Sequence, residues 1–113
     1  MNSSIVIALP KIDDAKKIRT ILNRHGFSVA AVCSTASTAL ASMSELDGGI
    51  LICGYKLTDR YYQDVLEDIP SYFEMLLLAS GRVIAEAPTS VLTVEMPMKV
   101  SDLVNTVDMM LSQ

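Results

Sequence analysis

The sequence predicts a doubly wound α/β fold, a three-layer (βα)5 sandwich built on a five-stranded parallel sheet. Short apolar runs recur along the chain, and most are followed by a segment with apolar residues at helical spacing. The runs are apolar throughout instead of alternating, as expected of parallel strands covered on both faces. The 113 residues are 50% hydrophobic and 19% charged, which fills one core and makes one domain, residues 1–113. Right-handed crossovers then wind the helices onto both faces of the sheet.

Residues 4–9 (SIVIAL) read as the first strand, ended by Pro10. In residues 11–24, Ile12, Ala15, Ile18 and Leu22 share one helix face. Asp13 and Asp14 fall in its first turn, where the helix dipole favours acids, with Lys16 and Lys17 spaced to pair with them. His25 and Gly26 end this helix, the glycine by taking a left-handed conformation. Residues 27–32 form the second strand, and Ser34 or Thr35 caps a helix lined by Ala36, Ala39, Leu40 and Met43. The LDGG segment breaks that helix and residues 50–53 form the third strand.

Tyr62, Val65, Leu66 and Ile69 line a third helix closed by Pro70, and residues 74–80 are the fourth strand. Gly81 and Pro88 bracket too few residues for a full helix, so the fourth is expected to be short or irregular. Residues 91–97 supply the fifth strand. Ser101 caps the last helix, residues 100–112, whose stripe is Leu103, Val104, Val107, Met110 and Leu111.

Composition removes several functions. A net charge of −4 argues against a duplex nucleic-acid binder, which needs surplus Lys and Arg to displace phosphate counterions. With His25 as its lone histidine the chain has no multi-histidine metal site. Cys33 and Cys53 lie in apolar runs and read as buried thiols of a reducing cytoplasm, although strand-end positions leave a disulfide open. No run reaches the ~18 apolar residues of a membrane span, and the N-terminal run is too short for a signal peptide, so a soluble cytoplasmic protein is expected.

The ends of parallel strands are where such folds place chemistry, and the third strand ends at Gly54. Five βα units in this length, a pocket at the strand ends and a Met-Pro after the fifth strand resemble a response-regulator receiver domain. The segments LICGYKLTD and FEMLLLAS are similar in particular to the degenerate receivers attached to ANTAR-type RNA-binding antiterminators. A working receiver phosphorylates itself on an aspartate. That reaction needs a divalent cation held by acids after the first strand, and a lysine after the fifth. A Ser or Thr at the fourth strand's end then binds the phosphate.

Carried over by the resemblance, the acidic pair falls on Leu9 and Pro10, the nucleophile on Gly54 and the lysine on Met96, with Pro97 retained. Ser80 alone keeps a family-like residue, and capping a turn explains it equally well. The joint loss of metal ligands, nucleophile and lysine removes every charge the reaction uses. The resemblance therefore implies a pseudo-receiver, not an enzyme and without metal or cofactor. It signals through a protein partner or a homodimer, and reaches RNA only through a downstream domain beyond Gln113. The alternative is a small α/β enzyme or ligand-binding domain using Tyr55, Lys56 and Ser80 in the strand-end cleft. A third reading is phosphorylation at Asp59 or Ser80, against which Asp59 reads better as a helix N-cap. Cys53 points into the core on the alternation of its strand and lacks the cationic neighbour of a reactive thiol. Five of the nine basic residues (Lys11, Lys16, Lys17, Arg19, Arg24) fall on the first helix and read as a solvated face, with an acidic partner or RNA as the alternative. Met96, Met98, Met109 and Met110 gather near one end, as core or as a dimer or interdomain surface.

Overall fold

In the computed structural model, which describes residues 4–112, the apolar runs are strands and the segments between them are helices. In chain order these are β1 Ser4–Ala8, α1 Ile12–Arg24, β2 Val29–Cys33, α2 Ala36–Ser44 and β3 Gly49–Gly54. They continue as α3 Tyr62–Asp68, β4 Phe73–Ala79, α4 Gly81–Ala85, β5 Leu92–Glu95 and α5 Val100–Leu111. All strand pairs are parallel and the sheet order is β2-β1-β3-β4-β5. The order reverses between β1 and β3, which opens a crevice beyond their carboxyl ends.

Alternation along each strand divides the core into two layers. Ile5, Ile7, Ile50, Ile52 and Leu76 pack against Ala15, Ile18 and Leu22 of α1 and Leu103, Val107 and Met110 of α5. On the other face Val6, Ala8, Leu51, Cys53 and Leu77 meet α2 and α3, with Val83 and Ile84 of the short α4 partly buried against them. Burying each large aliphatic side chain contributes about 1.5–3 kcal/mol, so both layers are needed to hold a chain of this size.

Several elements differ from the sequence expectation for local reasons. β2 begins at Val29, not at residue 27, because Phe27 belongs to the end of α1. The Phe27 N–H donates to the Leu22 carbonyl (3.0 Å) and the Gly26 N–H to that of Asn23 (3.2 Å), with Gly26 at φ 86°. That is a Schellman ending, in which the residue after the glycine closes the helix. His25 is the C-cap residue, and its Nδ1 lies 2.9 Å from the Ile21 carbonyl oxygen.

Ile12, expected on the inner face of α1, is 37% exposed at the helix's first position. Ser101 does not cap α5: Lys99 holds that position without a side-chain bond, and Ser101 lies inside the helix. Asp13 and Asp14 do occupy the first turn of α1, but the pairs with Lys16 and Lys17 are not formed. Among the described residues the salt bridge is Arg60–Asp68, between two exposed side chains for which solvation competes well.

Cys33 and Cys53 are both free and buried. They do not lie on neighbouring strands, since each is in register with Ala8 from opposite sides of β1. Two strand spacings of about 4.8 Å separate their backbones, beyond the reach of a disulfide. The four methionines also part company: Met96 and Met98 precede α5, whereas Met109 and Met110 lie in its last turn. No helix among the described residues is long and apolar enough to cross a membrane.

Candidate functional site

The strand-end crevice is a cavity of about 590 Å³. Leu9 and Pro10 after β1, Gly54 at the end of β3, Leu78 of β4, and Met96 and Met98 after β5 line it. Asp14, Lys17, Ile18 and Ile21 of α1 form one wall, and Tyr55 and Lys56 stand at the opposite one. Four positions that the receiver resemblance assigns to charge or nucleophile, Leu9, Pro10, Gly54 and Met96, are thus brought together. What they enclose is apolar.

Gly54 is not an empty place awaiting a side chain. A Cβ built there lies 3.1 Å from Leu9 Cδ2 and 3.5 Å from Pro10 Cδ. The Leu9 side chain and the Pro10 ring thus border the position from one side. A carboxylate introduced at Gly54 would face hydrocarbon at Leu9 and Pro10, with Asp14 as the one carboxylate among the lining residues. Among the described residues no group of three or more His, Cys, Asp or Glu side chains could hold a metal ion.

The loop after Gly54 is held by bonds that use its polar groups structurally. Lys56 and Tyr61 form an antiparallel bridge around a tight turn, closed by Leu57 N–H donating to the Arg60 carbonyl (2.7 Å). Leu57 anchors the turn in the core at 1% exposure. Lys56 Nζ lies 5.2 Å from the Tyr61 ring centroid, and Tyr55 meets that ring edge-on at 5.3 Å.

Asp59 is a helix cap as expected, but for α2 instead of the helix that follows it. Its Oδ1 accepts from the Ala36 N–H (2.7 Å) and its Oδ2 from the Ser37 N–H (3.1 Å). Thr35, the N-cap residue, accepts from the Thr38 N–H at 3.1 Å. The bond from Ala36, more than any other influence, lowers the Asp59 pKa below its ordinary value. Both carboxylate oxygens are engaged in capping α2, a structural role for this residue. Burial pushes the Cys53 thiol up to about 12, and its Sγ donates to the Gly54 carbonyl at 3.3 Å, so it stays protonated and inert.

Ser80 is exposed at the start of α4, makes no capping bond with its side chain and does not line the cavity. Pro97, joined to Met96 by a cis peptide, is also exposed and outside the lining. Sequence reasoning missed the α1 wall. The sequence reading pairs Lys17 with an acid, and Ile21 lies off the stripe that marks the inner face. An isoleucine beside that stripe was the available signal.

No protein-family model matches the chain, and neither does any curated protein. Solved structures do match. A response regulator receiver domain (CheY-like) from Methylobacillus flagellatus is 12% identical with a TM-score of 0.80, over 97% of this chain and 99% of that one. A structure named adenylate cyclase from Rhodopirellula baltica is 16% identical with a TM-score of 0.86, over 99% of this chain and 89% of that one. The anti-anti-sigma factor PhyR from Bartonella quintana is 15% identical with a TM-score of 0.81, over 99% of this chain. This chain spans about half of PhyR, 48% of its length. The five-stranded parallel sheet, ordered β2-β1-β3-β4-β5, and its flanking helices have the receiver fold.

Proposed function

We propose that this chain is a pseudo-receiver, a regulatory module that signals by protein contact without phosphoryl transfer. The observation that carries the reading is the closure of Leu9 and Pro10 over Gly54, with Met96 beside them. Phosphoryl transfer to a carboxylate runs on positioned charge: a nucleophile, a cation with its oxygen ligands, and a lysine. None of those groups stands at its position here. The same absence speaks against the enzymatic alternative, since no nucleophile and base are paired among the described residues of the cavity wall.

Contact is a means of input that needs no phosphoryl chemistry, and the strand-end face suits it. Ile12, Tyr55, Tyr61, Met96 and Val100 are large apolar side chains left exposed around that rim. The ANTAR-type reading rests on the sequence segments quoted above. In it α5 leads into a helical dimerisation segment and an RNA-binding bundle in the cytoplasm. Incubation with acetyl phosphate, or with beryllofluoride and Mg²⁺, tests the central claim. Amide NMR shifts around Gly54 and the oligomeric state are expected to stay unchanged. A saturable, Mg²⁺-dependent response at Gly54 would overturn it.

A further inference from the structure

We infer that the strand-end cavity is a binding site for an amphipathic anion, a small molecule with a hydrocarbon or flat aromatic body and one carboxylate or phosphate. The inference deepens the pseudo-receiver reading, on which it rests for the pocket being free of phosphoryl chemistry. At about 590 Å³ the cavity falls within the 300–1,000 Å³ range of ligand pockets. Its floor and inner walls are Leu9, Gly54, Leu78, Ile18 and Met98, which offer hydrocarbon and no side-chain hydrogen-bonding group. Ile18 and Leu78 are 5% and 4% exposed, and they belong to packed elements, so the floor is rigid.

The polar groups are confined to the mouth. Lys17 stands on the α1 side and Lys56 on the loop side, with Asp14 as the acid among the lining residues. Neither lysine forms a salt bridge among the described residues. Lys56 is held over the Tyr61 ring, which orients the ammonium without neutralising it. Two lysines that line one apolar pocket and form no salt bridge among the described residues select a negatively charged head whose body prefers to leave water. The methionines add adaptability, since their unbranched side chains reshape to fit different bodies. In this arrangement the two lysines do for a ligand head what a pocket lysine would do for a phosphoryl group. Occupancy from α1 to the β5–α5 connection would then couple a metabolite to the exposed apolar rim.

The probe is sodium decanoate below its micelle concentration, titrated into the full chain carrying ¹³C-methyl methionine and ¹⁵N amides. Decanol, decyltrimethylammonium and acetate serve as the neutral, cationic and tail-less comparisons. Saturable shifts are expected at the Met96 and Met98 methyls and at the Leu9, Gly54 and Leu78 amides, with decanoate bound more tightly than all three. The double variant Lys17→Gln, Lys56→Gln removes surface charge without touching the core. It is expected to weaken decanoate about tenfold, the scale of one hydrogen bond to an ionised group, and to leave decanol unchanged. Equal affinity for decanoate and decyltrimethylammonium, or decanoate shifts outside the cavity, overturns the inference. So do cavity methyls that respond to protein concentration and not to decanoate, since a second copy would then be the occupant. Silence to decanoate together with silence to beryllofluoride overturns the ligand alone, whereas a beryllofluoride response overturns the pseudo-receiver reading.

Discussion

β3 begins and ends with a glycine, and the two have opposite reasons to be there. Gly49 adopts φ 151°, and a Cβ on it would lie 1.8 Å from the Ser4 carbonyl oxygen. The obstacle is backbone of the neighbouring strand, which cannot move without breaking the sheet. At Gly54 the backbone has no left-handed conformation, and a Cβ would meet a leucine methyl at 3.1 Å. The amino end of β3 thus needs glycine to exist as a strand. At the carboxyl end the obstacle is the end of a side chain, which can turn aside. One glycine is required by the backbone around it and the other only by a leucine methyl.

The largest effect is therefore expected at the amino end. Gly49→Ala forces either a left-handed alanine or displacement of Ser4, and the Ser4 N–H to Gly48 carbonyl bond (2.9 Å) sits in the same corner. A loss of about 3 kcal/mol or more is expected, at the upper end of single-residue effects. Urea unfolding followed by circular dichroism measures it. A cost under about 1 kcal/mol, within the ordinary range of tolerated substitutions, would mean that the corner relaxes and that the two glycines are alike.

The sequence displayed the first glycine's role only in part. LDGG announces a break between helix and strand, but not that one glycine lies against Ser4, a contact set by strand pairing across 45 residues of separation. The sheet, the two helical layers and the short α4 were legible because they depend on apolar periodicity. That Leu9, Pro10, Gly54 and Met96 lie together at the strand ends was legible because the apolar runs mark where strands stop. The α1 wall was not, because which side of a helix borders a cavity depends on how its axis crosses the sheet. Asp59 shows the same limit: its chemistry as a cap could be read, but its partner α2 lies across the sequence and is reached only through the folded loop.

Asp59 also separates the two ends of β3 by pH. The amino end is held by backbone bonds that do not titrate, such as Gly49 N–H to the Tyr72 carbonyl at 3.2 Å. The loop beyond the carboxyl end is tied to α2 by an ionised carboxylate. Its folded pKa is depressed, so its contribution is present above the unfolded value near 3.9 and is lost as pH falls through the folded value. Asp59→Ala is expected to cost about 1 kcal/mol at neutral pH, moderated by the Thr35 cap that remains. Asp59→Asn should lose less, by keeping one acceptor, and should lack the decline below about pH 4 that the wild type shows in acid titrations of stability. Identical acid profiles for the wild type and Asp59→Asn would show that the loop does not depend on that charge.

The smallest effect is the one that distinguishes the two glycines most sharply. Gly54→Ala requires Leu9 Cδ2 to yield by a few tenths of an ångström, and a leucine terminus can do so by a small torsion. The cost should be about 0.5 kcal/mol, near the lower bound for a strained rotamer. Its origin is testable, because truncating Leu9 removes the atom that is in the way. In a Leu9→Ala background, Gly54→Ala should become neutral or stabilising, giving a coupling energy of about 0.5 kcal/mol or more. The same cycle at the other end, Gly49→Ala with Ser4→Ala, should show no relief, because the Ser4 atoms in the way are backbone and survive any substitution. If both cycles are additive, Leu9 does not crowd the Gly54 position and the pseudo-receiver reading loses its main support. If only the Leu9 cycle couples, the space at Gly54 is limited by a side chain, and the space at Gly49 by backbone.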